Sequence, residues 1–332
     1  MDGLGYDEVI GQDKIKKHLM DITKSDSISH GYIFEGPKGT GKLRLAEVFA
    51  QTILCTERND YPCGVCSSCI KAMAGSHPDI HVMDYSENSI KRQDVDEIQE
   101  IVYVKPYESR RKVIIINDAQ KMTVQASNTF LKTLEEPPED TVIILITLNQ
   151  SLIIQTIVSR CQTIKLDRIS DREVKRILME EYGVESQMAG LITGYSKGIV
   201  QRAVNILREE VNILQLRGEI VDMVDDILKS GKSIVFEYEK YFDKHKDDID
   251  DILEILMIWF RDLSFYKVGA VDQIINIDRM SLIEKQSGKT DGKRCSEMYE
   301  LFQNTYDDVK SNVNYKLAID NMLFGIQEVK HD

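Results

Sequence analysis

A chain of 332 residues is long enough for two or three domains of ordinary size, and 42% hydrophobic with 29% charged residues is the composition of a globular protein. A formal net charge of −13 at pH 7 argues against a protein whose main task is to grip a nucleic-acid backbone unaided, because that affinity comes from clustered lysine and arginine. No apolar run approaches the roughly 20 residues needed to span a bilayer. The acidic start lacks the basic and apolar regions of a secretory signal, so a cytoplasmic location without membrane contact is expected.

In chain order, Val9, Ile10, Ile15, Leu19 and Ile22 recur at helical spacing, which predicts a short helix within residues 7–24. The run Tyr32-Ile-Phe34 then reads as a strand leading into a glycine-rich turn and a second helix. Gly36, Gly39, Thr40, Gly41 and Lys42 match the Walker A spacing, in which glycines turn consecutive N–H groups onto a phosphate and the lysine adds a point charge. ATP is therefore a candidate ligand. The hydroxyl that would hold Mg²⁺ is missing, because Leu43 follows the lysine.

The next helix, through Leu45, Ala46, Val48, Phe49 and Ile53, reaches Cys55, and Cys63, Cys66 and Cys69 follow within a loop. Four soft thiolates of this number suit a closed, structural Zn²⁺ site, and clustering in a reducing compartment favours metal over disulfides. Buried or redox-active free cysteines are the alternative. His77 and His81 read as loop and strand residues rather than ligands.

Ile80–Met83 predicts a second strand, Val95, Ile98, Ile101 and Val102 a helix, and the β-branched run Val113–Ile116 a fully buried strand. It ends in Asn117-Asp118, where an active ATPase carries the carboxylate that holds Mg²⁺ through water and the one that polarises the attacking water. Asp118 is thus either a degenerate Walker B residue or a cap for the following helix. A helix through Ala126, Phe130, Leu131 and Leu134 stops at Pro137-Pro138, and strands Val142–Ile146 and Thr163–Leu166 follow. Strands alternating with helices imply a parallel sheet covered on both faces. Arg160 stands just before the last strand, as a solvated loop charge or as a finger offered to a phosphate on a neighbouring chain. From Asp171 onward every segment has helical spacing: 171–182, 186–193, 199–211, 213–229, 233–245, 247–268, 280–285, 295–309 and 314–329. Gly194 and Gly198 bracket an expected turn, and Gln286–Gly292 reads as a surface loop.

Taken together, Val9-Ile-Gly-Gln12, Gly36-Pro-Lys-Gly-Thr-Gly-Lys42, the four cysteines, Gly75-Ser-His-Pro-Asp79, Leu131-Lys-Thr-Leu-Glu-Glu-Pro-Pro138 and Ser159-Arg-Cys161 resemble the AAA+ subunits of the bacterial DNA polymerase III clamp loader. The resemblance implies a RecA-like AAA+ domain over 1–166 with the zinc module at 55–69, an all-α lid over 167–210 and an all-α collar over 211–332. The segment Asn312–Ile319 resembles the last collar helix. Within the family, Leu43, Asn117 and Gln201, the last standing where motor subunits carry a sensor-2 arginine, make the chain similar to the delta-prime type rather than the gamma/tau motor; Arg202 follows. The resemblance then implies a chain with little ATPase activity of its own, Arg160 acting in trans, and as partners the gamma/tau and delta subunits, the sliding clamp and primed DNA. An active AAA+ ATPase and a zinc-dependent nucleic-acid-binding module are the competing readings.

Overall fold

The β-branched runs of the first half form one sheet, in a computed structural model that describes residues 5–57, 61–85, 88–208, 212–229, 234–311 and 313–331. The elements run α1 (Asp13–Lys24), β1 (Gly31–Glu35), α2 (Lys42–Leu54), α3 (Ser67–Met73), β2 (Ile80–Asp84), α4 (Arg92–Tyr103), β3 (Lys112–Asn117), α5 (Val124–Glu135), β4 (Thr141–Thr147), α6 (Gln155–Val158) and β5 (Gln162–Lys165). All four strand pairings are parallel, in the order β2-β3-β4-β1-β5. Consecutive side chains leave opposite faces of a strand. Tyr32, Phe34, Val113, Ile115, Ile144 and Ile146 accordingly pack on one face with Leu45, Phe49 and Leu19. Ile33, Ile114, Ile116, Ile143 and Leu145 pack on the other with Val95, Ile98 and Phe130. Burial on both faces is why these strands read as unbroken apolar runs rather than alternating ones.

Because every strand points the same way, the sheet has two chemically different edges. The loops after β1 and β3 open at the carboxyl edge, the usual place for ligands in an open α/β sheet. The turn between α6 and β5 lies at the amino edge.

Among the described residues the second half holds helices and no strand: α7 (Asp171–Glu180), α8 (Ser186–Ser196), α9 (Val200–Leu207), α10 (Ile213–Lys229), α11 (Ile234–Lys244), α12 (Ile249–Lys267), α13 (Met280–Ser287), α14 (Gly292–Lys310) and α15 (Tyr315–His331). The chain separates into two compact units, residues to Val174 with Gly198–Gln201, and Lys175–Lys197 with everything from Arg202 onward. In the second unit α12 is buried along most of its length, from Ile252 to Leu263, and Trp259 donates through Nε1 to Gln286 Oε1 at 2.7 Å.

Two sequence expectations are corrected here. Gly194 does not bound a turn but lies inside α8, where a β-carbon would come within 2.5 Å of the Ile275 side chain. Gln286 and Ser287 belong to α13 and are buried, Gln286 as the partner of Trp259, so the surface loop shrinks to the residues before α14. The expected domain border at 210/211 and Asn312 fall outside the described residues. Among the described residues no helix is long and apolar enough to cross a membrane.

Candidate functional site

At the carboxyl edge, β1 runs into a loop whose glycines are required by geometry. Gly36 has φ +153°, and a β-carbon there would lie 2.3 Å from the Leu166 carbonyl oxygen. Gly39 has φ +84°, with the Ile199 side chain 2.9 Å from its would-be β-carbon and that of Gln201 3.9 Å away. Gly41, also at +84°, is the left-handed residue from which α2 starts. Thr40 is buried and donates its hydroxyl to Pro37 O at 2.9 Å. The Lys42 ammonium turns back onto the loop, donating to Gly36 O at 2.7 Å and Pro37 O at 2.8 Å. Burial pushes its pKa down to about 8, with the Asp118 carboxylate opposing the shift. Leu43 packs against the core cluster shared by α1, α2 and the sheet. Where a metal-binding hydroxyl would sit, the chain has an apolar, half-buried side chain packed against the core.

The neighbouring strand end shows a similar substitution. Asn117 donates through Nδ2 to Asp84 Oδ1 at 3.0 Å, across the register that sets these two residues side by side. Asp118 is in the left-handed region at φ 53°; its side chain makes no cap hydrogen bond and instead accepts from Gln120 Nε2 at 2.8 Å. The capping role is therefore not realised. Gln201, in the segment over the Gly39 turn, has interactions of its own. The cation beside it, Arg202, is committed elsewhere, donating through Nη2 to Asp251 Oδ1 at 2.8 Å and Glu254 Oε2 at 2.6 Å. Burial raises the pKa of both carboxyls, and Arg202 opposes that rise.

At the other end of α2 the cysteines converge. Cys55 ends the helix and Cys66 starts α3, where its sulfur accepts from Cys69 N at 3.4 Å; Cys63 Sγ accepts from Cys66 N at 3.3 Å. All four Sγ atoms lie within 4.8 Å of one another, Cys63 and Cys69 at 3.9 Å. A tetrahedral Zn²⁺ with bonds of about 2.3 Å needs sulfurs roughly 3.8 Å apart. The residues present fit a four-thiolate ion, and His77 and His81 stand outside the group.

The Gly75–Asp79 segment anchors this module, a role that its sequence did not disclose. His77 Nδ1 accepts from Asp79 N at 3.0 Å, so the ring is neutral with its proton on Nε2, which meets Ser68 Oγ at 3.0 Å. Ser68 in turn donates to Leu54 O at 2.8 Å. Burial lowers the His77 pKa despite Glu108 nearby. Asp79 is fully buried and accepts from the backbone N–H groups of Tyr107 (2.5 Å), Glu108 (3.0 Å) and Ser109 (2.8 Å). Burial would raise its pKa, but these three donors outweigh it and hold the carboxyl below the usual range.

A family model described as "DNA polymerase III, delta subunit" matches residues 11–170, and one described as "DNA polymerase III, delta subunit, C terminal" matches residues 212–328. The chain is 29% identical over 320 residues to DNA polymerase III subunit delta' of Bacillus subtilis (strain 168), covering 96% of each. The chain belongs to the DNA polymerase III clamp-loader family. It is also 27% identical to DNA polymerase III subunit tau of the same organism, covering 98% of this chain but spanning only 62% of that relative's length. A solved gamma subunit-related protein from Thermotoga maritima is similar over 94% of this chain and 99% of its own, at 18% identity and a TM-score of 0.48.

The arginine singled out in this clamp-loader chain lies in the α6–β5 turn, at the amino edge. Its Nη1 donates to Thr156 O at 2.9 Å and its Nη2 to Glu135 Oε1 at 2.8 Å, with the side chain 35% exposed. One strand of about five residues, roughly 16 Å at ~3.3 Å each, separates this edge from the glycine-rich loop. The four cysteines are thus brought together, and the loop and Asp118 share the carboxyl edge. Arg160 is set apart from both. Asp84 drew no attention in the sequence, since a lone carboxylate at an element's end has no distinguishing pattern, and Glu135 stood out only as part of the Leu131–Pro138 run, with no role of its own.

Proposed function

We propose that this clamp-loader subunit is of the delta-prime, non-motor type. The observation that carries the reading is that positions needed for metal-assisted hydrolysis are occupied by side chains with structural partners: Leu43, half-buried against the core, and Asn117 on Asp84. Lys42 and the loop glycines retain donors for a phosphate, but Leu43 offers no hydroxyl and Asn117 no carboxylate to hold Mg²⁺. In this reading Gly36, Gly39, Thr40, Gly41, Lys42 and Asp118 form a relic of a nucleotide site. The four cysteines hold a structural Zn²⁺. The helical half divides into a lid over 167–210 and a collar over 211–332, and the chain works with gamma/tau motors and a delta subunit to place a sliding clamp on primed DNA.

Its contribution to catalysis is Arg160, directed to the nucleotide of an adjacent motor subunit. Two features support this: the residue is separated from its own chain's glycine-rich loop by the width of the sheet, and its guanidinium remains partly exposed. A finger supplied in trans is worth roughly 10³–10⁵ in rate at the site it serves. The test is a loader reconstituted with Arg160→Ala. The expected result is normal assembly with depressed DNA-stimulated ATPase and clamp loading; an unchanged rate would return Arg160 to a surface charge. A companion assay of the isolated chain should detect no magnesium-dependent turnover near the ~1 s⁻¹ typical of slow enzymes. Turnover abolished by Lys42→Ala would instead identify an active ATPase.

A further inference from the structure

Glu135 closes α5, immediately before the Glu136-Pro137-Pro138 break that ends the helix. Its neighbour Leu134 is buried against the start of β1, where a β-carbon on Gly31 would lie 3.6 Å from the Leu134 side chain. Cys161, the neighbour of Arg160, meets the same point, its Sγ 3.0 Å from that β-carbon position. The residues adjoining Glu135 and Arg160 therefore pack side by side against one backbone position, Gly31. The two charged groups stand on a fixed base.

On that base the guanidinium is held from two directions, by Glu135 Oε1 at 2.8 Å and by Thr156 O at 2.9 Å, with Ser159 Oγ at 3.4 Å. An arginine has five N–H donors in a rigid fork, so these contacts fix its plane while leaving donors for an incoming anion. A half-exposed pair of this kind contributes little to stability. Orientation is a different matter, because a misplacement of about 1 Å in a catalytic group can cost on the order of 10²-fold in rate.

We propose that Glu135 is the positioning residue for Arg160: it sets the guanidinium plane in which the arginine meets the neighbouring subunit's nucleotide. This rests on the trans reading of Arg160 given above. The alternative for the same contact is a parking site, in which Glu135 neutralises the arginine and holds it out of use. The two assignments predict opposite signs.

The experiment uses the reconstituted loader with only the ATP site adjacent to this chain left active, and measures kcat and KM for ATP in the presence of primed DNA. Glu135→Gln is expected to lower kcat about tenfold, with KM changed by less than about twofold, and Glu135→Asp, which keeps the charge on a shorter arm, to fall between it and the unmodified chain. In an Arg160→Ala background Glu135→Gln should add no further loss, since a residue acting only through Arg160 has nothing left to position. A rate that rises in Glu135→Gln identifies the parking site and overturns the proposal. So does a rate unchanged in Glu135→Gln while Arg160→Ala is impaired, or an equal loss in both backgrounds. An Arg160→Ala loader at full rate removes the trans reading itself, an outcome distinguishable from the others because it appears in the single arginine variant.

Discussion

The two ends of α2 stand in opposite relations to their chemistry. At its start, the glycine-rich loop keeps the backbone of a phosphate site, with Gly36 forced by the Leu166 carbonyl and Gly41 launching the helix, while Leu43 and Asn117 have been drawn into packing and pairing. At its end, Cys55 and its three companions keep a full ligand set, on a segment with one short helix and few apolar residues of its own. Close packing alone is enough to demand the loop's backbone geometry, whatever ligand it takes. A module with so few apolar residues would draw much of its stability from a bound metal, beside the hydrogen bonds that Ser68 makes to His77 and Leu54.

The sharpest way to break this contrast is to remove one cysteine. Structural zinc contributes about 10–16 kcal/mol of apparent binding energy in small zinc-dependent peptides, so Cys66→Ser should lower bound metal from about one ion per chain toward none. Proteases should then cleave between Cys55 and Cys69. Elemental analysis with limited proteolysis checks both, and a metal-free parent protein of unaltered stability would show that the module needs no ion.

A smaller effect is expected at Asp79, which tests what a buried carboxylate contributes by holding the 107–109 loop through hydrogen bonds rather than a metal. Asp79→Ala strands the N–H groups of Tyr107, Glu108 and Ser109 and should cost about 3 kcal/mol in denaturant unfolding at neutral pH. The folded pKa of Asp79 is depressed. Its contribution is therefore fully present above the unfolded value of about 3.9 and is lost as pH falls through the folded one. A variant as stable as the parent at neutral pH would mean that the three donors find water at no cost.

The smallest effect is at the far edge of the sheet. Arg160→Ala removes a half-exposed pair and solvent-exposed hydrogen bonds to Thr156 and Ser159, and should change folding stability by less than about 0.5 kcal/mol. A larger loss would make Arg160 a structural residue.

The sheet was legible in the sequence because burial on both faces leaves a mark that periodicity can find: Val113–Ile116 and Val142–Ile146 lie inside β3 and β4. The cysteine site was legible because ligand identity is written in residue type. The partners of single polar residues were not. Asn117 could be recognised as a missing carboxylate, but its bond to Asp84 depends on a strand register that no local pattern specifies. Gln286 looked like the start of a polar loop because nothing nearby announces Trp259, 27 residues earlier, as the partner that buries it. Asp118 looked like a cap, and its left-handed backbone turned the carboxylate to Gln120 instead.

The bond between Asn117 and Asp84 also bears on whether this strand end could regain what it lacks. Restoring aspartate at 117 would set a carboxylate where an amide now donates, about one hydrogen-bond length from a second carboxylate. The like charges would disfavour each other and raise the pKa of one carboxyl. A single reversion therefore meets a penalty before it yields any benefit, unless Asp84 changes as well or a hydroxyl returns at position 43 to help hold the ion. The neighbouring strand thus sets a local electrostatic cost on an aspartate at 117, which a change at Asp84 would remove.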